Sequence, residues 1–363
     1  GLTTSTRWPT ATVWLPRDRA RDLIGRLTGL AEVYQIDEAP PLEWHNSDSV
    51  EPIQANTDSG TPLPTVTPIW DQGLTGAGQI VAVMDSGLDR NEDWFVALDS
   101  GSGPSVALTD AESPVPPAIG ATFPDRKLHA YWVQPGATAY DNNESCTLFS
   151  PPTNFHGTHT SGTVAGDSMT RSTPLDPGYD ADDGMAPNAQ LLFQDIGNDV
   201  TGCLSITDFG ASLRQAAAGG ASIHSNSWGA PVSGVYNANS AALDEVTWAE
   251  QQLLVTVSAG NSGPGLDSIG APATAKNALT VGALNNGNSL SVAGFSSRGP
   301  TDDGRIKPDI QAPGVSIESA RGDTNNGPAI DPAATRSLSG TSMSNPTVAG
   351  GAALLRQYFT DGF

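Results

Sequence analysis

Lysine is nearly missing from this chain, standing only at Lys127, Lys276 and Lys307 among 17 basic residues that face 39 acidic ones. The formal net charge of −22 offers no positive footprint for a phosphate backbone, which excludes nucleic acid as a partner. No run approaches the roughly 18 consecutive apolar residues of a membrane-spanning helix, so no transmembrane segment is expected. No internal repeat or long low-complexity tract is present. A charged segment followed by an apolar one is missing after Gly1, so any signal peptide is expected to have been removed or left out. Cysteine occurs twice, at Cys146 and Cys203, which allows one disulfide or two free thiols.

What is present suits a globular protein. With 363 residues, 37% of them hydrophobic, plus 40 glycines and 28 prolines, the chain can bury a large core and shape many loops. Apolar runs at Ile80 to Met84, Leu191 to Phe193, Ala221 to His224, Leu253 to Val257 and Ala278 to Val281 alternate with helical stretches. That alternation predicts an α/β fold with a doubly wound parallel sheet and helices on both faces. The acidic surface suits solubility and attraction of Ca²⁺, with a solvated face as the ordinary explanation.

Three segments carry chemistry. Gly340-Thr341-Ser342-Met343-Ser344-Asn345-Pro346 opens a small-residue helix, and a helix N-terminus under a hydroxyl supplies backbone N–H groups and a positive dipole end for an oxyanion. Alone, Ser342 reads equally well as a helix cap. Gln79 to Met84 reads as a buried strand that ends in Asp85 and Gly87, where a parallel sheet presents its ligand-facing groups. Alone, Asp85 reads as a turn former. His156-Gly157-Thr158-His159 begins a glycine-rich segment; the two histidines share a helix face, yet no H-E-x-x-H motif or third ligand supports a metal. His159 is expected to make a structural hydrogen bond.

Together the order Asp85, His156, Ser342 is that of subtilisin, and these segments resemble the subtilisin-like serine proteases. Further segments extend the likeness along most of the chain from about Ile53: Gly184 to Leu191, Ser225 to Gly229, Ser258 to Gly263, Phe295 to Pro300 and Lys307 to Gly314. Ile223 to Gly229 and Ala271 to Asn277 look most like the alkaline branch, whose catalytic domain is followed by a β-rich C-terminal domain.

The resemblance implies a three-layer subtilisin-like fold with a central, mostly parallel sheet and helices on both faces. It implies a secreted, monomeric serine endopeptidase acting on polypeptides. Ser342 would be the nucleophile, His156 the base and then acid, and Asp85 the group that orients the imidazole. Asn261 and the Ser342 N–H would form the oxyanion hole. Ser227, Trp228 and Gly229 on one side and Ser258, Ala259 and Gly260 on the other would flank an open, uncharged S1 pocket that prefers large uncharged residues. Its floor lies somewhere within Asp267 to Ala271. Catalysis would need no cofactor. Structural calcium is a family trait, with Asp176, Asp180, Asp182 and Asp183 as local candidates beside the reading of a solvated acidic loop. A Cys146–Cys203 disulfide at the substrate rim is the favoured pairing.

Residues 1–46 lie outside the catalytic match of 47–363 and read as a small β-α-β segment. Ala11 to Leu15 and Ala31 to Ile36 are its expected strands, and Arg17 to Leu30 its expected helix. The unit resembles the second half of a propeptide, with an unrelated extension as the alternative. Self-processing would fall near Asn46-Ser47, with Leu42 to Asn46 leaving through the cleft. The stretch from Asn91 to Ser150 is expected to form surface loops. The chain ends 363 − 342 = 21 residues after Ser342, where the family continues, so a truncated domain or an unusually short one is expected. The rival function is an inactive subtilase-like scaffold that binds peptides; an esterase is disfavoured because no G-x-S-x-G elbow stands in the required order.

Overall fold

The computed structural model describes residues 67–95, 116–138, 155–167, 183–198, 203–285, 291–323, 331 and 334–362, with short pieces at 2–3, 10–11, 23–24, 26–27, 30 and 43–44. Its centre is a seven-stranded parallel sheet of β1 (Ile80–Asp85), β2 (Leu128–Val133), β3 (Gln190–Asp195), β4 (Ile223–Asn226), β5 (Leu254–Ser258), β6 (Leu279–Leu284) and β7 (Ile310–Pro313). The spatial order is β7-β6-β5-β4-β1-β3-β2. All six pairings are parallel, and β1 lies between β4 and β3, where the winding reverses. A crevice beyond the carboxyl ends of the strands at such a reversal is where open α/β sheets bind ligands.

Side-chain alternation along β1 decides what meets what. Val81 and Val83 belong to the core cluster shared with Val164 and Ala165 of helix α1 (His156–Ala165) and with Ala349, Ala353 and Leu354 of helix α4 (Thr341–Asp361). Ala82 and Met84 face the other way, toward clusters that contain Phe209, Leu213 and Ala216 of α2 (Phe209–Ala218) and Leu243 and Val246 of α3 (Ala238–Ala249). Helices therefore cover both faces, and the expected three layers are present. Asp85 is in phase with Val81 and Val83, so its carboxylate emerges on the α1 and α4 side.

Helix α1 is buried along all ten residues and packs against both β1 and α4. Glycine permits this approach: a Cβ at Gly157 would stand 1.9 Å from the Gly87 carbonyl oxygen, and one at Gly350 would stand 2.6 Å from Met185 Cβ.

The structure corrects part of the expectation of surface loops between Asn91 and Ser150; residues 96–115 and 139–150 lie outside the described residues. Leu128–Val133 forms a strand at the edge of the sheet, with Leu128, Tyr131 and Trp132 almost fully buried. A histidine within it and a lysine just before it hid it: His129 docks on the Gly219 carbonyl at 3.1 Å, and the Lys127 ammonium donates to the Pro187 carbonyl. In the N-terminal stretch, Thr10–Ala11 pairs with Leu2–Thr3, and residues 23, 24, 26 and 27 are helical. The expected strand over Ala31 to Ile36 lies outside the described residues.

Candidate active site

The candidate residues lie at the carboxyl end of β1, in the first turn of α1 and in the first turn of α4, three elements that pack against one another. His156 Nδ1 stands 2.7 Å from Asp85 Oδ1, with Asp85 fully buried and His156 nearly so. Because the carboxylate can only accept, Nδ1 carries the proton and Nε2 is left as the basic nitrogen. Asp85 also accepts from the Ser86 N–H at 2.8 Å and from the Thr160 hydroxyl at 3.2 Å, one helical turn beyond His156. His156 begins its helix after Phe155, which holds a left-handed conformation at φ +55° that non-glycine residues seldom adopt outside constrained sites.

Ser342 occupies the second position of α4. Its hydroxyl donates to the Ser227 carbonyl at 2.5 Å, and its own carbonyl accepts from the Ser227 hydroxyl at 2.7 Å. The second bond has a cause in the sequence. A helix would join the Ser342 carbonyl to the N–H four residues on, but residue 346 is proline and has none. Ser227 supplies the missing donor.

Asn261 follows β5. Its side-chain oxygen accepts from the Thr341 N–H and hydroxyl, each at 3.1 Å, which turns the amide nitrogen away from those groups and leaves it as a donor. Thr341 in turn accepts from the Gly260 N–H at 3.1 Å. The oxyanion candidate and the nucleophile candidate are thus fixed through adjacent residues.

A cleft beside them is lined by Gly229, Ala230, Pro231, Ser258, Gly260, Asn261, Ser262, Ser268 and Gly270. No charged side chain is among them, and Ser268 and Gly270 identify the stretch of the expected floor that contributes to it. Of the flanking residues read from sequence, Gly229, Ser258 and Gly260 line this cleft. The Ser227 side chain instead bonds to the Ser342 turn. Trp228 and Ala259 are fully buried, with the indole edge-to-face on Phe209 at 5.1 Å between ring centroids, so their side chains serve the core. Trp228–Gly229 also forms a short strand paired antiparallel with Glu43–Trp44, in the register Trp228 to Trp44 and Gly229 to Glu43.

Other expected residues fall elsewhere. His159 is fully buried, bonds through Nε2 to the Arg336 carbonyl at 2.8 Å, and has its basicity pushed down to about 3 by burial. His224 is likewise pushed down to about 3 by burial and bonds to Gln194 at 2.8 Å. Both are uncharged struts. Asp176, Asp180, Asp182 and Cys146 lie outside the described residues. Asp183 is buried, and its charge together with that of Asp167 favours the ammonium of Lys127, which burial itself pushes down to about 8. Among the described residues no group of three or more His, Cys, Asp or Glu forms a metal cluster, and no cysteine is free. Sequence reasoning did not single out Thr160, Ser225 or Asn345, whose partners lie on distant segments.

Comparison with known proteins agrees with the geometry. Residues 76–362 match the peptidase S8 model, described as the subtilase family. Subtilisin Savinase of Lederbergia lenta is 29% identical over 290 residues, covering 79% of each chain. The serine protease/ABC transporter B family protein tagB of Dictyostelium discoideum is 26% identical over 378 residues, covering 81% of this chain and 18% of its own. This chain therefore spans about a fifth of the length of such Dictyostelium relatives. Among solved structures, sphericase superposes with a TM-score of 0.51 at 25% identity, covering 80% of each chain.

Proposed function

This chain belongs to the subtilase family of serine proteases, and from that membership we propose that it is an endopeptidase that cleaves polypeptides through Asp85, His156 and Ser342, with Asn261 in the oxyanion hole. The observation that carries the reading is the 2.7 Å bond from His156 to the fully buried Asp85, with Ser342 in the first turn of a helix that packs against both of their elements. On substrate binding the Ser342 hydroxyl turns from the Ser227 carbonyl to His156 Nε2, which takes its proton as the oxygen attacks the scissile carbonyl. Charge on the tetrahedral oxygen is met by the Asn261 amide and the Ser342 N–H, donors fixed before the reaction begins. His156 then protonates the leaving amine, and water repeats the sequence on the acyl-enzyme. Asp85 holds the tautomer and stabilises the imidazolium.

The substrate would add to Trp228–Gly229 as an extended strand, its affinity coming from backbone bonds and its preference from the cleft. A lining without charge supports the uncharged part of the proposed preference, for large uncharged residues at P1. The antiparallel pairing of Glu43–Trp44 on that same strand supports the reading of residues 1–46 as a propeptide that occupies the site until it is cut near Asn46-Ser47. A secreted monomer with a Cys146–Cys203 bridge completes the proposal. Family members commonly bind calcium, as a structural ion rather than a catalytic one. The loop bearing Asp176, Asp180, Asp182 and Asp183 is the proposed site here.

Casein hydrolysis with and without a serine-directed fluorophosphonate tests the reading. The wild type should cleave and be labelled on Ser342, while Ser342→Ala should do neither and should remain uncut near Asn46. A folded wild type that neither cleaves nor labels would refute it.

A further inference from the structure

Beneath the proposed nucleophile, one side chain joins the helix that carries it to the strand that would receive substrate. Asn345, fully buried in the first turn of α4, donates through Nδ2 to Ser225 Oγ at 3.0 Å and to Ser227 Oγ at 3.3 Å. Its amide oxygen is buried without a partner, so at this position the residue acts through its two N–H donors. The orientation of the amide follows from the neighbours. Ser227 spends its single hydroxyl proton on the Ser342 carbonyl at 2.7 Å, so it can only accept from Asn345.

The result is a closed chain of contacts. Asn345 fixes the Ser227 hydroxyl, that hydroxyl fixes the carbonyl of Ser342, and the Ser227 carbonyl receives the Ser342 hydroxyl at 2.5 Å. Ser225 lies at the end of β4, one strand from Asp85, and its neighbour Asn226 pairs with Met84. The same amide therefore sets the depth of the nucleophilic turn against the strand that carries both the substrate edge and one wall of the cleft.

We infer that Asn345 is a positioning residue for peptide hydrolysis: with Ser225 it clamps the first turn of α4 to the end of β4, so that the nucleophile and the substrate strand keep one register. The inference rests on the proposed role of Ser342. A shift of about 1 Å in a reacting group can cost about 100-fold in rate. Removing the donors should therefore act on turnover while leaving the cleft that binds substrate in place.

The test uses the full chain with Asn345→Ala, Ser225→Ala and the double variant, each assayed on a P1-matched peptide series and by the rate of fluorophosphonate labelling. For Asn345→Ala, kcat and the labelling rate should fall together by about 100-fold, with KM changed by less than about 3-fold. Ser225→Ala, a smaller change that keeps the Ser227 contact, should cost about 10-fold in both. The double variant should be no worse than Asn345→Ala, because the two residues act as one unit. Losses that multiply in the double variant, or variants that label at the wild-type rate, would overturn the inference while leaving the peptidase reading intact. A wild type that is neither active nor labelled would overturn both.

Discussion

Two carboxyls just beyond β1 make stability fall as pH rises. Asp89 and Glu92 are almost fully buried, and each keeps one oxygen without a hydrogen-bond partner. Burial, followed by the charges of Asp323 and Asp331, pushes Asp89 up to about 7 from an ordinary 3.8. Burial, followed by Asp89, Asp323, Asp331 and Asp93, pushes Glu92 up to about 9 from an ordinary 4.5. The folded chain thus holds more protons than the unfolded one from about pH 4 upward, and stability present at pH 4 is lost as the pH climbs through the folded-state values. For Asp89 the interval from 3.8 to about 7 corresponds to roughly 4 kcal/mol at 1.36 kcal/mol per pH unit. Asp89→Asn removes the titration and keeps an oxygen for the Asp323 N–H, now bonded at 2.7 Å. Urea unfolding from pH 5 to pH 9, in a Ser342→Ala background with chelator present, covers the part of that interval from pH 5 to about 7 and should show the parent losing about 3 kcal/mol more than the variant. Because Asp89 also raises Glu92, the variant should flatten that limb too. Parallel stability curves for the two proteins would refute the reasoning.

Three further outcomes are expected. Asn261→Ala should lower kcat by about 100-fold to 1000-fold with little change in KM, a range known from subtilisin, and a loss below 10-fold in steady-state kinetics would remove the amide from the oxyanion hole. Ser268→Asp should move P1 preference toward Arg and Lys in a peptide series, because it brings a carboxylate to a cleft that has no charge of its own; an unchanged ranking would put the P1 side chain elsewhere. Intact mass should rise by two hydrogens on reduction if Cys146 and Cys203 are bridged, and an unchanged mass would mean two thiols.

The proposed triad could be read in the sequence because each candidate sits where local pattern changes: Asp85 ends an apolar run, His156 begins a glycine-rich helix and Ser342 follows the glycine that caps α4. What stayed hidden depends on contacts between distant segments. Nothing near Asn345 announces a bond to Ser225, 120 residues earlier, and nothing near Thr160 announces Asp85, 75 residues earlier. Trp228 was read as part of the pocket because its neighbours are, yet strand alternation turns the indole into the core against Phe209. Leu128–Val133 escaped notice because a histidine lies within it and a lysine just before it, each tied to a carbonyl once folded.

Pro346 ties the chemistry to completion of the fold. In an isolated helix its missing N–H would leave the Ser342 carbonyl to water, and only docking on the Ser227 hydroxyl supplies a donor from the protein. Helix formation alone therefore does not finish the nucleophilic turn. A nascent chain in which α4 has formed but has not met the sheet would lack the proposed nucleophile's finished turn, so on the proposed reading activity would wait until helix and sheet are joined.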